Sequence, residues 1–263
     1  MAKHDRWSAL MELLAAQGRL DVEEAAAALA VSGATIRRDL DELAEQQMLV
    51  RTRGGAVAHG VSYELPLRYK SSRHAPEKQR IAAAAAALIG ESEVVGLNGG
   101  TTTTEVARVL AMRMSGGREG NGSGPALTVV TNALNIASEL AVRPQIKLVL
   151  TGGVARPQTF ELVGPLTTGV LNEVVLDVVM LGVDGVDLQM GIMAHHEDEA
   201  SVSRLLAERA HRVVVVTDSS KLGQRAFARI CGLERIDTLV TDAKVSKEMT
   251  DRLTEAGVKV LTA

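Results

Sequence analysis

Val31-Ser32-Gly33-Ala34-Thr35-Ile36-Arg37-Arg38-Asp39-Leu40 is the stretch on which the reading of this 263-residue chain turns. An apolar helix ends at Val31, Ser32 is placed to cap a second one, and that second helix puts Ile36, Leu40 and Leu43 inward. Thr35, Arg37 and Arg38 then face solvent. Two adjacent guanidiniums and a hydroxyl near the start of a helix suit the donor and acceptor edges of a DNA major groove. Taken alone, an Arg-Arg pair on a helix is more often a solvated face, so the neighbouring segments decide.

Upstream, Trp7, Leu10, Met11 and Leu14 recur at helical spacing until Gln17-Gly18-Arg19 breaks the pattern. Leu20, Val22, Ala25, Ala26 and Leu29 read as a second apolar stripe with Asp21 placed to cap it. Downstream, residues 48–57, Met-Leu-Val-Arg-Thr-Arg-Gly-Gly-Ala-Val, read as two short strands around a Gly-Gly turn, with Arg51 and Arg53 on one side. Three helices and a basic hairpin make a winged helix-turn-helix over residues 1–58. Its third helix enters the groove and its wing touches phosphates. Ser32, Thr35, Arg37, Arg38, Arg51 and Arg53 are the expected DNA contacts. The domain carries seven Lys or Arg against nine Asp or Glu, a net of −2. Local field therefore has to act in place of net charge at a Debye length of about 10 Å, and firm binding needs two such domains per DNA molecule.

Ser32 to Leu40, followed by Leu49-Val50-Arg51 and Arg53-Gly54-Gly55-Ala56, resembles the amino-terminal domain of DeoR-type bacterial transcriptional regulators. The family pattern is close to S-x-x-T-I-R-R-D-L, then a hydrophobic pair, Arg and Gly-Gly-Ala. The resemblance extends over nearly the whole chain.

Composition bounds the rest. One small domain and one large enough to bury most of its apolar surface fit the length. The chain has a single cysteine, Cys231, a net charge of −3, no long charge-free apolar run and no signal-peptide pattern. A cytoplasmic, disulfide-free protein with no membrane partner is expected, and Cys231 reads as a packing residue rather than a nucleophile. Residues 59–75, loosely patterned and mostly basic, read as a linker. Residues 115–124, rich in Gly and Ser, read as a mobile surface insertion.

Over 76–263 an alanine-rich helix from Glu77 precedes short apolar runs at 94–97, 127–130, 146–150, 175–181, 213–216 and 238–240. Helical patterns begin between them near Thr103, Ala133, Pro165, Asp198 and Ser246. The whole is thus an α+β two-domain protein whose second domain is α/β, a mainly parallel sheet covered on both faces. Ligands of such sheets bind beyond the carboxyl ends of the strands. Asn98-Gly99-Gly100-Thr101-Thr102-Thr103 after the first strand suits a phosphate, with two glycines, hydroxyls and a helix amino end. A tight turn with a threonine-rich cap is the structural alternative. It is neither a dinucleotide fingerprint nor a Walker loop. Thr131-Asn132, Gly152-Gly153, Asp184 and Lys221 lie at later strand ends.

These strand ends resemble, in order, the effector domain of the DeoR family, which looks like the fold of ribose-5-phosphate isomerase. By that resemblance Gly99 to Thr103 and Lys221 hold a phosphate, while Asn132, Asp184 and Glu199 face sugar hydroxyls. Asn98 and Gly100 depart from the commoner residues of the family. The stretch Met193 to Glu199, with His195 and His196, reads as a loop lining that pocket rather than a metal site. No cofactor and no catalytic residue is expected. The resemblance implies a repressor of carbohydrate or polyol genes, a homodimer or homotetramer on double-stranded operator DNA, controlled by a phosphorylated sugar or polyol. The alternative is a sugar-phosphate isomerase or transferase carrying a DNA-binding appendage, with Asp184, Glu199 and Lys221 able to move protons.

Overall fold

A computed structural model of the chain describes residues 3–45, 48–57, 67, 74–115 and 126–263. The chain divides into two units, residues 1–73 and 74–263. Most of the linker reading at 59–75 and of the insertion reading at 115–124 lies outside the described residues.

In the first unit α1 (Lys3–Gln17), α2 (Val22–Leu29) and α3 (Gly33–Glu45) enclose a core of Trp7, Leu10, Met11, Leu14, Ile36, Leu40 and Leu43. Burial of each large side chain contributes about 1.5–3 kcal/mol, and together they set how α3 lies across its neighbours. Asp21 caps α2 by accepting from the N–H groups of Glu23 and Glu24 at 2.8 and 3.3 Å. Ala30, in the left-handed conformation at φ 53°, ends it. One expectation changes here. Leu20 belongs to β1 (Arg19–Asp21), not to the stripe of α2, and β1 pairs antiparallel with β3 (Gly55–Val57), which also pairs with β2 (Val50–Arg51). The wing is therefore three-stranded. A Cβ on Gly55 would lie 1.7 Å from the carbonyl oxygen of Leu20, so only glycine lets β1 and β3 close.

In the second unit seven parallel strands form one sheet: β4 (Val94–Leu97), β5 (Leu127–Thr131), β6 (Ile146–Leu150), β9 (Leu176–Gly182), β12 (Ala210–Val216), β14 (Thr238–Thr241) and β15 (Lys259–Thr262). Their spatial order is β15-β14-β12-β9-β4-β5-β6. Alternate side chains of each strand enter opposite cores. Val178 and Met180 pack with the layer of α4 (Ala75–Ala86), α5 (Thr101–Ser115) and α6 (Leu134–Leu140). Val179 and Leu181 pack with that of α7 (Thr168–Asn172), α8 (Glu197–Glu208) and α9 (Lys247–Glu255). Burial on both faces is why these strands read as unbroken apolar runs. Two small antiparallel additions complete the unit: the hairpin β7 (Val154–Ala155) with β8 (Leu162–Val163), and a sheet of β10 (Gly185–Asp187), β11 (Gly191–Ala194) and β13 (Ala228–Cys231).

The chain runs outward from β4 through β5 to β6, then returns to the other side of β4 as β9 and proceeds the opposite way. The strand order thus reverses between β4 and β9, and the carboxyl ends of these two strands flank the crevice where sheets of this kind take ligands.

Candidate DNA-reading surface and effector site

Just ahead of α3, Ser32 Oγ accepts from Thr35 N–H at 3.2 Å and lies 2.9 Å from Thr35 Oγ1, so the two hydroxyls fix the first turn and each other. Arg37 and Arg38 are exposed. Arg37 pairs with Glu23 at 2.9 Å across the helix-turn-helix, and Arg51 on β2 pairs with Asp41 at 2.7 Å and donates to the carbonyl of Gly55. Arg53 sits in the turn between β2 and β3 rather than alternating with Arg51 along a strand, because β2 ends at Arg51. Two of the four arginines expected to contact DNA, Arg37 and Arg51, are thus already held by carboxylates.

Asp39, the acid that follows the Arg-Arg pair, is 2% exposed. It accepts from Arg6 Nη2 and Trp7 Nε1, both at 2.9 Å, and from Arg6 Nε. Burial pushes the Asp39 carboxyl up, but the Arg6 guanidinium and the Trp7 N–H outweigh it and hold the group below its usual range. Asp39 ties α3 to α1, a role that sequence periodicity does not reveal.

At the β4–β9 crevice, Gly100, at φ 136°, leads into α5. The first backbone bond of that helix is Thr104 N–H to Gly100 O at 3.0 Å, so by helix geometry the N–H groups of residues 101–103 open toward the loop. Thr103 and Thr104 spend their hydroxyls on the same carbonyl, at 3.1 and 2.6 Å. The hydroxyl of Thr103 therefore closes the loop instead of facing outward. Thr101 is partly exposed and Thr102 buried.

Asn98 also departs from expectation. Its amide donates to Gly182 O at 2.9 Å and Ser203 Oγ at 3.0 Å and accepts from Gly182 N–H at 2.8 Å. Asn98 therefore staples β4 to β9 across the switch point and holds α8 nearby, since all of these bonds are internal. Thr131 is similarly occupied, its Oγ1 accepting from Ala133 N–H at 3.1 Å. Gly153, at φ 123°, packs where a Cβ would lie 2.6 Å from Thr167, while Gly152, at φ 77°, makes the turn into the hairpin.

The remaining residues form local groups at the strand ends. Asn132, wholly buried, donates to Glu161 Oε2 at 2.9 Å and Leu162 O at 3.2 Å, while its Oδ1 is buried without a hydrogen-bond partner. A Cβ on Gly99 would lie 2.4 Å from Glu161 Oε1, which sets that carboxylate against the loop ahead of α5. Glu199, 4% exposed, accepts from Arg156 Nε at 2.8 Å and from Thr159 Oγ1 at 2.6 Å. Lys221 donates to Val183 O and stands 4.0 Å from Asp184, whose Oδ2 accepts from His195 N–H at 3.0 Å. His196 Nδ1 accepts from Asp198 N–H at 3.2 Å and caps α8. Met193 and Ala194 lie in β11, not in a loop. Arg156, Thr159 and Glu161 are absent from the sequence-based reading. Their partners are tens of residues away, so no local spacing exposes them. Cys231 is partly buried, and burial, with the Glu234 charge, pushes its thiol up to about 11.

No helix among the described residues is long and apolar enough to cross a membrane. The family model described as the DeoR-like helix-turn-helix domain matches residues 6–60, and that described as the DeoR C terminal sensor domain matches 73–243. The HTH-type transcriptional regulator GlpR of Haloferax volcanii is 34% identical, covering 99% of this chain and 98% of the relative. The glycerol-3-phosphate regulon repressor of Escherichia coli K12 is 30% identical, covering 99% of each chain. Among solved structures, ribose 5-phosphate isomerase A of Methanocaldococcus jannaschii aligns with a TM-score of 0.42 at 19% identity, over 57% of this chain and 55% of that one. The chain belongs to the DeoR family of DNA-binding transcriptional regulators.

Proposed function

We propose that this protein is a repressor of carbohydrate or polyol genes whose second unit senses a phosphorylated sugar or polyol at the β4–β9 crevice. The observation that carries the reading is the placement, at strand ends along one edge of the sheet, of an open helix amino end at residues 101–103, the cation of Lys221, and a buried, unpartnered acceptor, Asn132 Oδ1. The first two suit a phosphate and the third a hydroxyl donor. The printed name of the E. coli relative, a glycerol-3-phosphate regulon repressor, supports the same ligand class. Gly99, Gly100 and residues 101–103 hold the phosphate in this reading, with Asn132, Asp184 and Glu199 toward the hydroxyls.

The chain acts in the cytoplasm as a homodimer or homotetramer, because a domain of net −2 needs paired reading heads to hold paired half-sites. Residues 1–58 read DNA, 59–75 link, and 76–263 sense. The sensor reading is favoured over an isomerase because Glu199 Oε1 already accepts from Arg156 and Thr159 in the free protein. A ligand coupling of about 1–3 kcal/mol changes operator occupancy five- to 150-fold. Thermal-shift titration of the full chain with glycerol 3-phosphate, glucose 6-phosphate and the unphosphorylated polyols tests the reading. Stabilisation by a phosphorylated compound alone is expected; turnover of a sugar phosphate, lost in Lys221→Ala, contradicts it.

A further inference from the structure

The hairpin that carries Arg156, Thr159 and Glu161 reaches the crevice from β7 and β8, and it is bonded to the end of β5 through Leu162 N–H to Asn132 O at 2.7 Å and Leu134 N–H to Phe160 O at 2.9 Å. Phe160 adopts φ 60°, a conformation that a bulky side chain rarely takes, between the residue that meets Glu199 and the one that meets Gly99. Through this hairpin, Arg156 lies against Glu199 on the first turn of α8. One turn later on the same helix, Ser203 touches Asn98 beside the Gly99-Gly100 loop.

Charge decides what this placement means. Among the described side chains at these strand ends, the carboxylates Asp184, Glu161, Glu199, Asp218 and Asp242 outnumber the cations Arg156 and Lys221. The His195 ring also lies there, 3.9 Å from Asp184. A phosphate monoester brings a further charge of about −1.5 to −2 to this enclosure. The amide groups of one helix end offset only about half a unit of charge. Lys221 already faces Asp184, so the arriving anion needs a second cation, and a guanidinium suits it better than an ammonium because its fork matches phosphate oxygens.

Building on the ligand class proposed above, we propose that Arg156 is an effector-binding residue, held by Glu199 in the free protein and transferred to the ligand phosphate on binding. The exchange changes the partner of a buried carboxylate at the start of α8 and loads the 154–163 hairpin, so ligand occupancy is read out by the hairpin as well as by the loop. Thr159 stays on Glu199 and keeps it hydrogen-bonded when Arg156 leaves.

The test uses the full chain, calorimetric titration and three probes: glycerol 3-phosphate, glucose 6-phosphate and inorganic phosphate. Arg156→Gln is expected to weaken the best phosphorylated probe roughly tenfold or more, the loss of one charge-assisted hydrogen bond. The double variant Arg156→Gln/Glu199→Gln removes both charges of this pair together, so it keeps the test valid if the single variant folds poorly. It is expected to bind as weakly as Arg156→Gln. Glu199→Gln weakens the hold on Arg156 and is expected to tighten inorganic phosphate, which has no sugar hydroxyls to lose. Wild-type affinity in the double variant, or weaker inorganic phosphate in Glu199→Gln, overturns the proposal and leaves the sugar-phosphate reading standing. Failure of the wild-type protein to bind any of the three probes overturns that reading and the exchange with it.

Discussion

Asp39 shows how much of this protein turns on single side chains placed where local pattern cannot find them. The motif around residues 31–40 discloses a helix start, an inward face and an outward Arg-Arg pair. The same motif is silent about Asp39, whose partners Arg6 and Trp7 lie on another helix. Asp39→Asn is expected to cost about 3 kcal/mol of stability, the scale of breaking a buried pair by neutralising one member, and to weaken DNA binding by loosening α3 against α1. Urea unfolding together with anisotropy on a labelled duplex checks both effects. The pKa of Asp39 is depressed in the folded state, so its contribution is present above the usual carboxylate value of 3.8 and is lost as pH falls through the lower folded value. The wild-type chain is therefore expected to lose an acid-sensitive increment below about pH 4 that Asp39→Asn lacks. Arg37 makes the contrasting case. Its pair with Glu23 is exposed on both sides, contributes little to stability, and yields readily to a DNA phosphate. Glu23→Gln is accordingly expected to leave the melting temperature nearly unchanged and to strengthen binding to duplexes of any sequence, with equal affinities counting against Glu23 as a competitor.

Elements with a strong period are legible in the residues, and elements defined by distant pairing are not. The parallel strands are apolar on both faces, so each stands out as a run, and the helices between them follow. β1 escapes notice because the alternation of three residues is too short to stand out, and their partners lie in a wing more than thirty positions away. β10, β11, β13 and the 154–163 hairpin escape for the same reason, and with the hairpin go Arg156, Thr159 and Glu161. The glycines at strand ends are recognisable as turns, but what crowds them is visible only in space. At Gly99 the crowding is severe, with the Glu161 carboxylate filling the position of a Cβ. Gly99→Ala is expected to push the hairpin off the crevice and abolish stabilisation by phosphorylated probes. Limited proteolysis that cuts near residues 154–163 faster than in the wild type would register the displacement; unchanged cleavage and unchanged ligand response would show that the contact is slack.

The whole molecule is two units with separate cores, one carrying the family's DNA-reading helix and the other a crevice at a reversal of strand order. Separate cores imply separable losses. Lys221→Ala is expected to remove the response to phosphorylated sugars while DNA binding persists, as read by thermal shift and anisotropy on the same preparation. The converse variant bears most directly on the claim that DNA reading and ligand sensing are distinct modules of one regulator. A duplex selected from a random library by the wild-type chain is titrated with Arg37→Ala, and the same sample is melted with and without the phosphorylated probe that stabilises the wild type. Loss of duplex binding with full ligand stabilisation is the predicted result, and equal loss of both, or duplex binding that survives intact, contradicts it.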